Sequence, residues 1–163
     1  MSSIETNETA LTRFLAEQQW RSAGAVTRSA LLSSRFDARC IADLDAEWSS
    51  FSDGRFGFTA QIRAAGSPPA RAGSADWDYA IRLGKLVGWH NGRQWCHWHA
   101  SDLSTLPGPV IAPKGAPEAF PPGCFPFHDA VVDAPWPTNF SPRDCWGEHV
   151  WDEWCKVWRT ISQ

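Results

Sequence analysis

Four consecutive residues, Cys96-His97-Trp98-His99, form the one cluster in the chain with metal-ligand chemistry. On an extended backbone His97 and His99 share a face, because side chains alternate along a strand. Two imidazoles beside a thiol suit a borderline metal such as zinc. Further ligands would have to come from Cys124 or His128 folding over, so ordinary strand or loop residues are the competing reading. Covalent and phosphate chemistry finds no support. There is no Gly-x-Ser-x-Gly, no phosphate-cradling loop ending in Gly-Lys-Ser/Thr, no His-Glu-x-x-His and no dinucleotide fingerprint. The carboxylate pairs Asp43/Asp45 and Asp76/Asp78 read as helix-start charges and not as acid/base pairs.

The aromatic residues offer different chemistry. The chain holds 11 Trp against one Tyr and one Met. Trp is a large flat apolar body with one N–H that needs an acceptor when buried. Such a composition either packs thick aromatic layers or presents flat surfaces to a ligand. The 15 basic residues are scattered under a net charge of −3, which argues against nucleic acid and anionic membrane as partners. No apolar run reaches the length of a membrane span, and the first residues, Met1-Ser-Ser-Ile-Glu5, do not resemble a secretory signal. A cytoplasmic location is the expectation, with the five cysteines as free thiols.

Positioning these groups falls to a helical scaffold. At 163 residues, with 43% hydrophobic and 20% charged residues, the chain predicts one globular domain over 1–163 that needs no cofactor to fold. Ser2-x-x-Glu5 is a candidate capping box. Leu11, Phe14 and Leu15, then Ala23, Val26, Ala30 and Leu31, keep helical spacing on either side of Gln18-Gln19-Trp20. That pattern predicts two short antiparallel helices with Trp20 plugging the hairpin. Ile41, Leu44 and Trp48 mark a third helix, ended by Asp53-Gly54. Residues 55–62 fit a short extended segment or another helix opening. Residues 64–75 read as a loop. Asp76 is a candidate cap and Gly84 a candidate stop for the next helix. Asn91-Gly92 between aromatics signals a hairpin over 87–95. Ten prolines between Leu106 and Pro142 exclude long regular elements there and predict an apolar wrap that covers core or ligand. A last helix over about 146–161 carries Val150, Trp151, Trp154, Val157, Trp158 and Ile161 on one wide face.

One stretch is specific. Leu44-Asp-Ala-Glu-Trp48 followed by Phe51-Ser-Asp-Gly-Arg-Phe-Gly-Phe-Thr-Ala-Gln61 resembles the signature of the Genomes Uncoupled Four family of tetrapyrrole-binding proteins. Val87-Gly88-Trp89, Ser101-Asp102-Leu103 and Ala112-Pro-Lys-Gly115 are similar to later blocks of that family, in the same order. The likeness spans about 8–122; residues 123–163 form a divergent Pro-rich wrap and a Trp-rich helix. The resemblance implies a mainly α-helical domain whose cupped face, closed by long loops, binds porphyrins. It implies a noncatalytic regulator or carrier in chlorophyll or other tetrapyrrole biosynthesis, with the large subunit of magnesium chelatase as protein partner. The expected ligand is protoporphyrin IX, magnesium protoporphyrin or haem.

A porphyrin needs apolar faces and donors for its propionates. Phe51, Phe56, Phe58, Trp89, Trp95 and Trp98 are the candidate faces, and Leu103, Leu106, Val110 and Ile111 a candidate apolar wall. Arg55 and Arg93 are candidate propionate anchors. Core packing is the competing reading for Phe56 and Phe58. The chain departs from the family at Gly115-Ala-Pro-Glu-Ala-Phe-Pro-Pro122, and at His90, where the family has Arg. Two other readings follow: an interaction module that has lost the porphyrin, or a variant that binds haem or bilin, or processes bilin, through its histidines. His90, with His97 and His99 as alternatives, is the candidate axial ligand to haem iron. On that reading His90→Ala shifts the Soret band of haem-loaded protein; an unchanged spectrum removes His90 from the iron.

Overall fold

The computed structural model describes residues 7–69, 74–89, 97–98, 110–111, 114–126 and 147–163. Helices dominate: α1 (Asn7–Ala16), α2 (Trp20–Ser33), α3 (Ala38–Phe51), α4 (Phe58–Ala65), α5 (Ser74–Leu86) and α6 (Gly147–Ile161). A 3-10 turn spans Pro117–Ala119, and a two-residue parallel pairing joins β1 (His97–Trp98) to β2 (Val110–Ile111). The mainly α expectation is met. The capping box at Ser2 and the Asn91-Gly92 hairpin lie outside the described residues.

Helix boundaries follow local physics that the sequence states indirectly. Asp37 caps α3, its carboxylate accepting from the amides of Arg39 and Cys40. The ends of α1, α2, α3 and α5 close alike. In each, a residue turns left-handed and the following amide reaches back five residues; after α2 and α3 the residue that carries this amide, Phe36 at 61° and Gly54 at 72°, is left-handed as well. Gln18, Arg35 and Asp53 take φ of 56°, 54° and 53°, and Gly88 takes 84°. The reaching bonds are Gln19 to Phe14, Phe36 to Leu31, Gly54 to Ser49 and Trp89 to Gly84. Only the last of the four uses glycine as the residue before the reaching amide.

Three expectations are corrected here. Gly84 is not the stop of α5; it is buried inside the helix, which begins at Ser74 rather than at Asp76 and ends at the Gly88 turn. Residues 58–65 are helical, so the loop expected from residue 64 begins at Gly66. Asp45 is not a helix-start charge of its own helix. From within α3 it caps α4, accepting from the backbone and hydroxyl of Thr59.

The core is one aromatic body. Trp20 stacks on Phe125 with ring centroids 5.6 Å apart and meets Phe56 edge-on at 5.1 Å. Trp48 lies against both Trp20 and Phe125. Further along, Phe58 meets Trp154, and Trp158 meets Tyr79. Trp154, Val157 and Trp158 of α6 are buried with Leu11, Leu15, Ile41 and Leu83. The expected wide apolar face of the last helix is therefore core where its side chains are described. Trp20 and Trp48 are scaffold, as their helical positions suggest.

Tyr79, the only tyrosine in the chain, gives this core a pH signature. Its hydroxyl donates to the Gly66 carbonyl at 2.8 Å. Burial pushes its pKa up to about 12, against a smaller lowering by Arg82 and a small raising by Cys155. The folded state therefore holds the proton more tightly than the unfolded chain. The stability this provides is complete below about pH 10, the unfolded pKa, and is lost as pH rises toward the folded value. We expect phenolate absorbance to titrate near 12 in folded protein and near 10 in denaturant. Tyr79→Phe should flatten the fall in urea stability over that window.

Candidate functional site

The block Phe51–Gln61 lies at the centre of the molecule. Ser52 is buried; its hydroxyl donates to the Trp48 carbonyl at 2.7 Å and accepts from the Phe56 amide at 2.9 Å. This bond pair turns the chain from α3 toward α4. Gly57 then takes φ of 110°, a value that L side chains rarely adopt. A Cβ there would lie 2.6 Å from the Asp45 carboxylate, so glycine is what permits the approach that caps α4.

A second stretch, 114–126, packs onto this block. The Gly57 amide donates to the Phe125 carbonyl at 2.8 Å and the Gly123 amide to the Arg55 carbonyl at 2.7 Å. Gln61, fully buried, donates to the Pro126 carbonyl at 2.9 Å and accepts from the Trp158 indole at 2.7 Å. The Trp89 indole donates to the Cys124 carbonyl at 2.6 Å. Gly123 sits so close to α4 and α5 that a Cβ would approach Val87 at 2.9 Å and the Gln61 backbone at 3.2 Å. Three sequence blocks, 51–61, 87–89 and 114–126, thus share one tightly bonded layer. This is the apolar Pro-rich wrap expected from the sequence, and over its described part what it covers is core.

The expected site residues divide accordingly. Phe56, Phe58 and Trp89 are fully buried core residues and present no face outward. For Trp89 this corrects the expectation of ligand contact; its indole N–H needed an acceptor and found one inside. Phe51 is half-buried at the end of α3 and packs against the same core. Arg55 is half-buried, with Nη2 donating to the Phe120 carbonyl at 2.8 Å and Nε to the Pro117 carbonyl at 3.3 Å. Trp98, Val110 and Ile111 are brought together through their backbones, in the register His97 opposite Val110 and Trp98 opposite Ile111. His90, Arg93, Trp95 and Leu103 lie outside the described residues, as do Cys96, His99 and Leu106. Among the described residues no three His, Cys, Asp or Glu side chains gather as a metal site. Among the same residues no helix is long and apolar enough to cross a membrane.

One participant belongs to the apolar wrap that the sequence predicts to cover core or ligand. Phe120 lies half-buried between Arg55 and the aromatic cluster, 6.3 Å from Phe56 and 6.5 Å from Trp20 by ring centroids. Its sequence signal is an apolar ring in the Pro-rich stretch, immediately before Pro121-Pro122.

Compared with known protein families, curated proteins and solved structures, the chain matches none.

The layer's dependence on Gln61 is testable. Gln61→Leu takes away the partner of the Trp158 N–H and of the Pro126 carbonyl, a loss of about 2–6 kcal/mol at about 1–3 kcal/mol per stranded group. Urea denaturation followed by Trp emission measures it. A loss below about 1 kcal/mol would show that the two groups readily find other partners.

Proposed function

We propose that this protein is a noncatalytic tetrapyrrole-binding protein, a regulator or carrier working in the cytoplasm on porphyrin or haem. What carries the reading is the block Trp48–Gln61 with Val87-Gly88-Trp89 downstream, the specific part of the family resemblance. The convergence of these two blocks in one layer supports it. They form a bonded base that flanks residues 90–113 in sequence, at buried Trp89 and at Gly115. That span contains Arg93, Trp95, Trp98, Leu103, Val110 and Ile111, the expected faces, wall and second propionate anchor. Phe51 and Arg55 are the candidates within the base. The protein partner on this reading is the large subunit of magnesium chelatase. His90 is the axial candidate if the ligand is haem.

A second reading is favoured by Arg55. Its guanidinium is engaged by two carbonyls of the chain itself, and Phe56, Phe58 and Trp89 are committed to the core. On this reading the domain keeps the fold as a protein-interaction module and has given up the porphyrin.

Titration with protoporphyrin IX, magnesium protoporphyrin, haem and biliverdin separates the two. Tetrapyrrole binding gives saturable quenching of Trp emission with a shifted Soret band for at least one ligand. No saturable change with any of the four leaves only the second reading. Conversion of the bound pigment over time would instead mark a catalyst.

A further inference from the structure

Phe120 has a chemical identity beyond its packing. From its carbonyl through Cα and Cβ to the ring, it is a phenylpropionyl group. The carbonyl oxygen accepts from Arg55 Nη2 at 2.8 Å. The ring lies edge-on to Phe125 at 5.0 Å, to Phe56 at 6.3 Å and to Trp20 at 6.5 Å. The Pro117 carbonyl takes the neighbouring Nε of the same guanidinium at 3.3 Å. Two separate neutral carbonyls thus occupy the Nε and Nη2 donors that one carboxylate takes side-on through both oxygens.

We propose that Trp20, Arg55 and Phe56 form a binding site for arylpropionates, and that the 114–120 strap fills it with Phe120 as an internal stand-in for that ligand. A free arylpropionate carries the same ring-to-oxygen spacing and adds a full negative charge against the guanidinium. The exchange replaces charge–dipole contacts with a bidentate ion pair at a half-buried position, where screening is weaker than in bulk water.

The strap is held as a displaceable element. Between Lys114 and Phe120 the residues Lys114, Ala116, Glu118 and Ala119 are exposed. Among the described residues its ties are the Trp20 indole to the Gly115 carbonyl at 2.8 Å, a long Gly115 amide bond to Gln18 at 3.4 Å, Arg55 itself, the buried Pro117 and the Phe120 ring. Beyond Pro121 the character changes. Pro121 presses on Gly88, where a Cβ would come within 3.0 Å of it. Gly123 to Pro126 are buried and bonded to α4 and its approach. The Pro121-Pro122 pair divides the two halves: lifting 114–120 takes away the acceptor of the Trp20 indole and the carbonyls on Arg55, while the bonds of Gly123 to Pro126 to Arg55, Gly57, Gln61 and Trp89 remain. Each propionate corner of a tetrapyrrole is itself an arylpropionate, a pyrrole ring followed by two methylenes and a carboxylate. The inference deepens the proposed function by assigning that site a competitor within the chain, and rests on it for the tetrapyrrole alone.

Phe120→Ala empties the ring position, and an acid that refills it displaces the backbone carbonyls of residues 117 and 120 from Arg55. We expect its melting temperature to fall by roughly 4–8 °C, as for about 2 kcal/mol in a chain of this size. Hydrocinnamate (phenylpropionate) should restore it, binding Phe120→Ala at least about tenfold more tightly than wild type, which the strap competes against. Hydrocinnamide and ethylbenzene should each bind Phe120→Ala at least about tenfold more weakly than the acid. Equal rescue by ethylbenzene, or no response to the acid, overturns the proposal, because the site is then an apolar gap only. Should Phe120→Ala not fold, wild type decides: hydrocinnamate must speed hydrogen exchange at the Ala119 and Phe120 amides, and hydrocinnamide must not. A protein that answers hydrocinnamate but binds no tetrapyrrole keeps this site and loses the function proposed above. One that binds tetrapyrrole and ignores hydrocinnamate does the reverse.

Discussion

A buried indole N–H must find an acceptor, and in this chain that requirement ties distant segments together. Trp20, Trp48, Trp89 and Trp158 are fully buried, and each donates to a residue remote in sequence: the Gly115 carbonyl, the Thr27 hydroxyl, the Cys124 carbonyl and the Gln61 amide. An apolar ring alone can settle into a core in many orientations. A ring with one directional donor settles in few, because an unpaired buried N–H costs about 1–3 kcal/mol. The abundance of Trp thus supplies both the volume of the core and much of its specificity. Thr27 shows how fully these partners are used: its hydroxyl accepts from Trp48 and donates to the Ala23 carbonyl.

The same requirement explains how a Pro-rich stretch with little regular structure is buried over Gly123 to Pro126. Such a stretch cannot satisfy its carbonyls internally. Here Trp89, Gln61 and the Gly57 amide satisfy three of them, at Cys124, Pro126 and Phe125. In return Phe125 fills the space between Trp20, Trp48 and Phe56. The segment is as much part of the core as any helix. Residues 114–120 share the aromatic contacts but are more exposed, with Lys114, Ala116, Glu118 and Ala119 at the surface where Gly123 to Pro126 are buried.

Much of the scaffold was legible. The paired first helices, Trp20 between them, the Ile41-Leu44-Trp48 face and the apolar face of α6 follow from spacing alone. Helix ends were harder. Gln18 and Arg35 carry the left-handed turn with ordinary side chains, so no glycine marks the stops of α1 and α2. Gly84 does the opposite, a glycine inside a helix that marks nothing. Asp45 caps a helix other than its own, which no local pattern can reveal. At the site, Phe56, Phe58 and Trp89 carry ligand-like side chains, yet whether an aromatic ring faces ligand or core depends on neighbours from other segments.

The sequence by itself determined a helical domain, an aromatic core and the block Phe51–Gln61 as its most specific stretch, because periodicity, composition and local turn chemistry are properties of neighbours along the chain. Only the tertiary structure decided that this block is a bonded base, that Trp89 points inward, and that Arg55 is held by Pro117 and Phe120 more than sixty residues away. Such pairings depend on which segments approach one another. That choice is made by packing and by the acceptors that buried donors require.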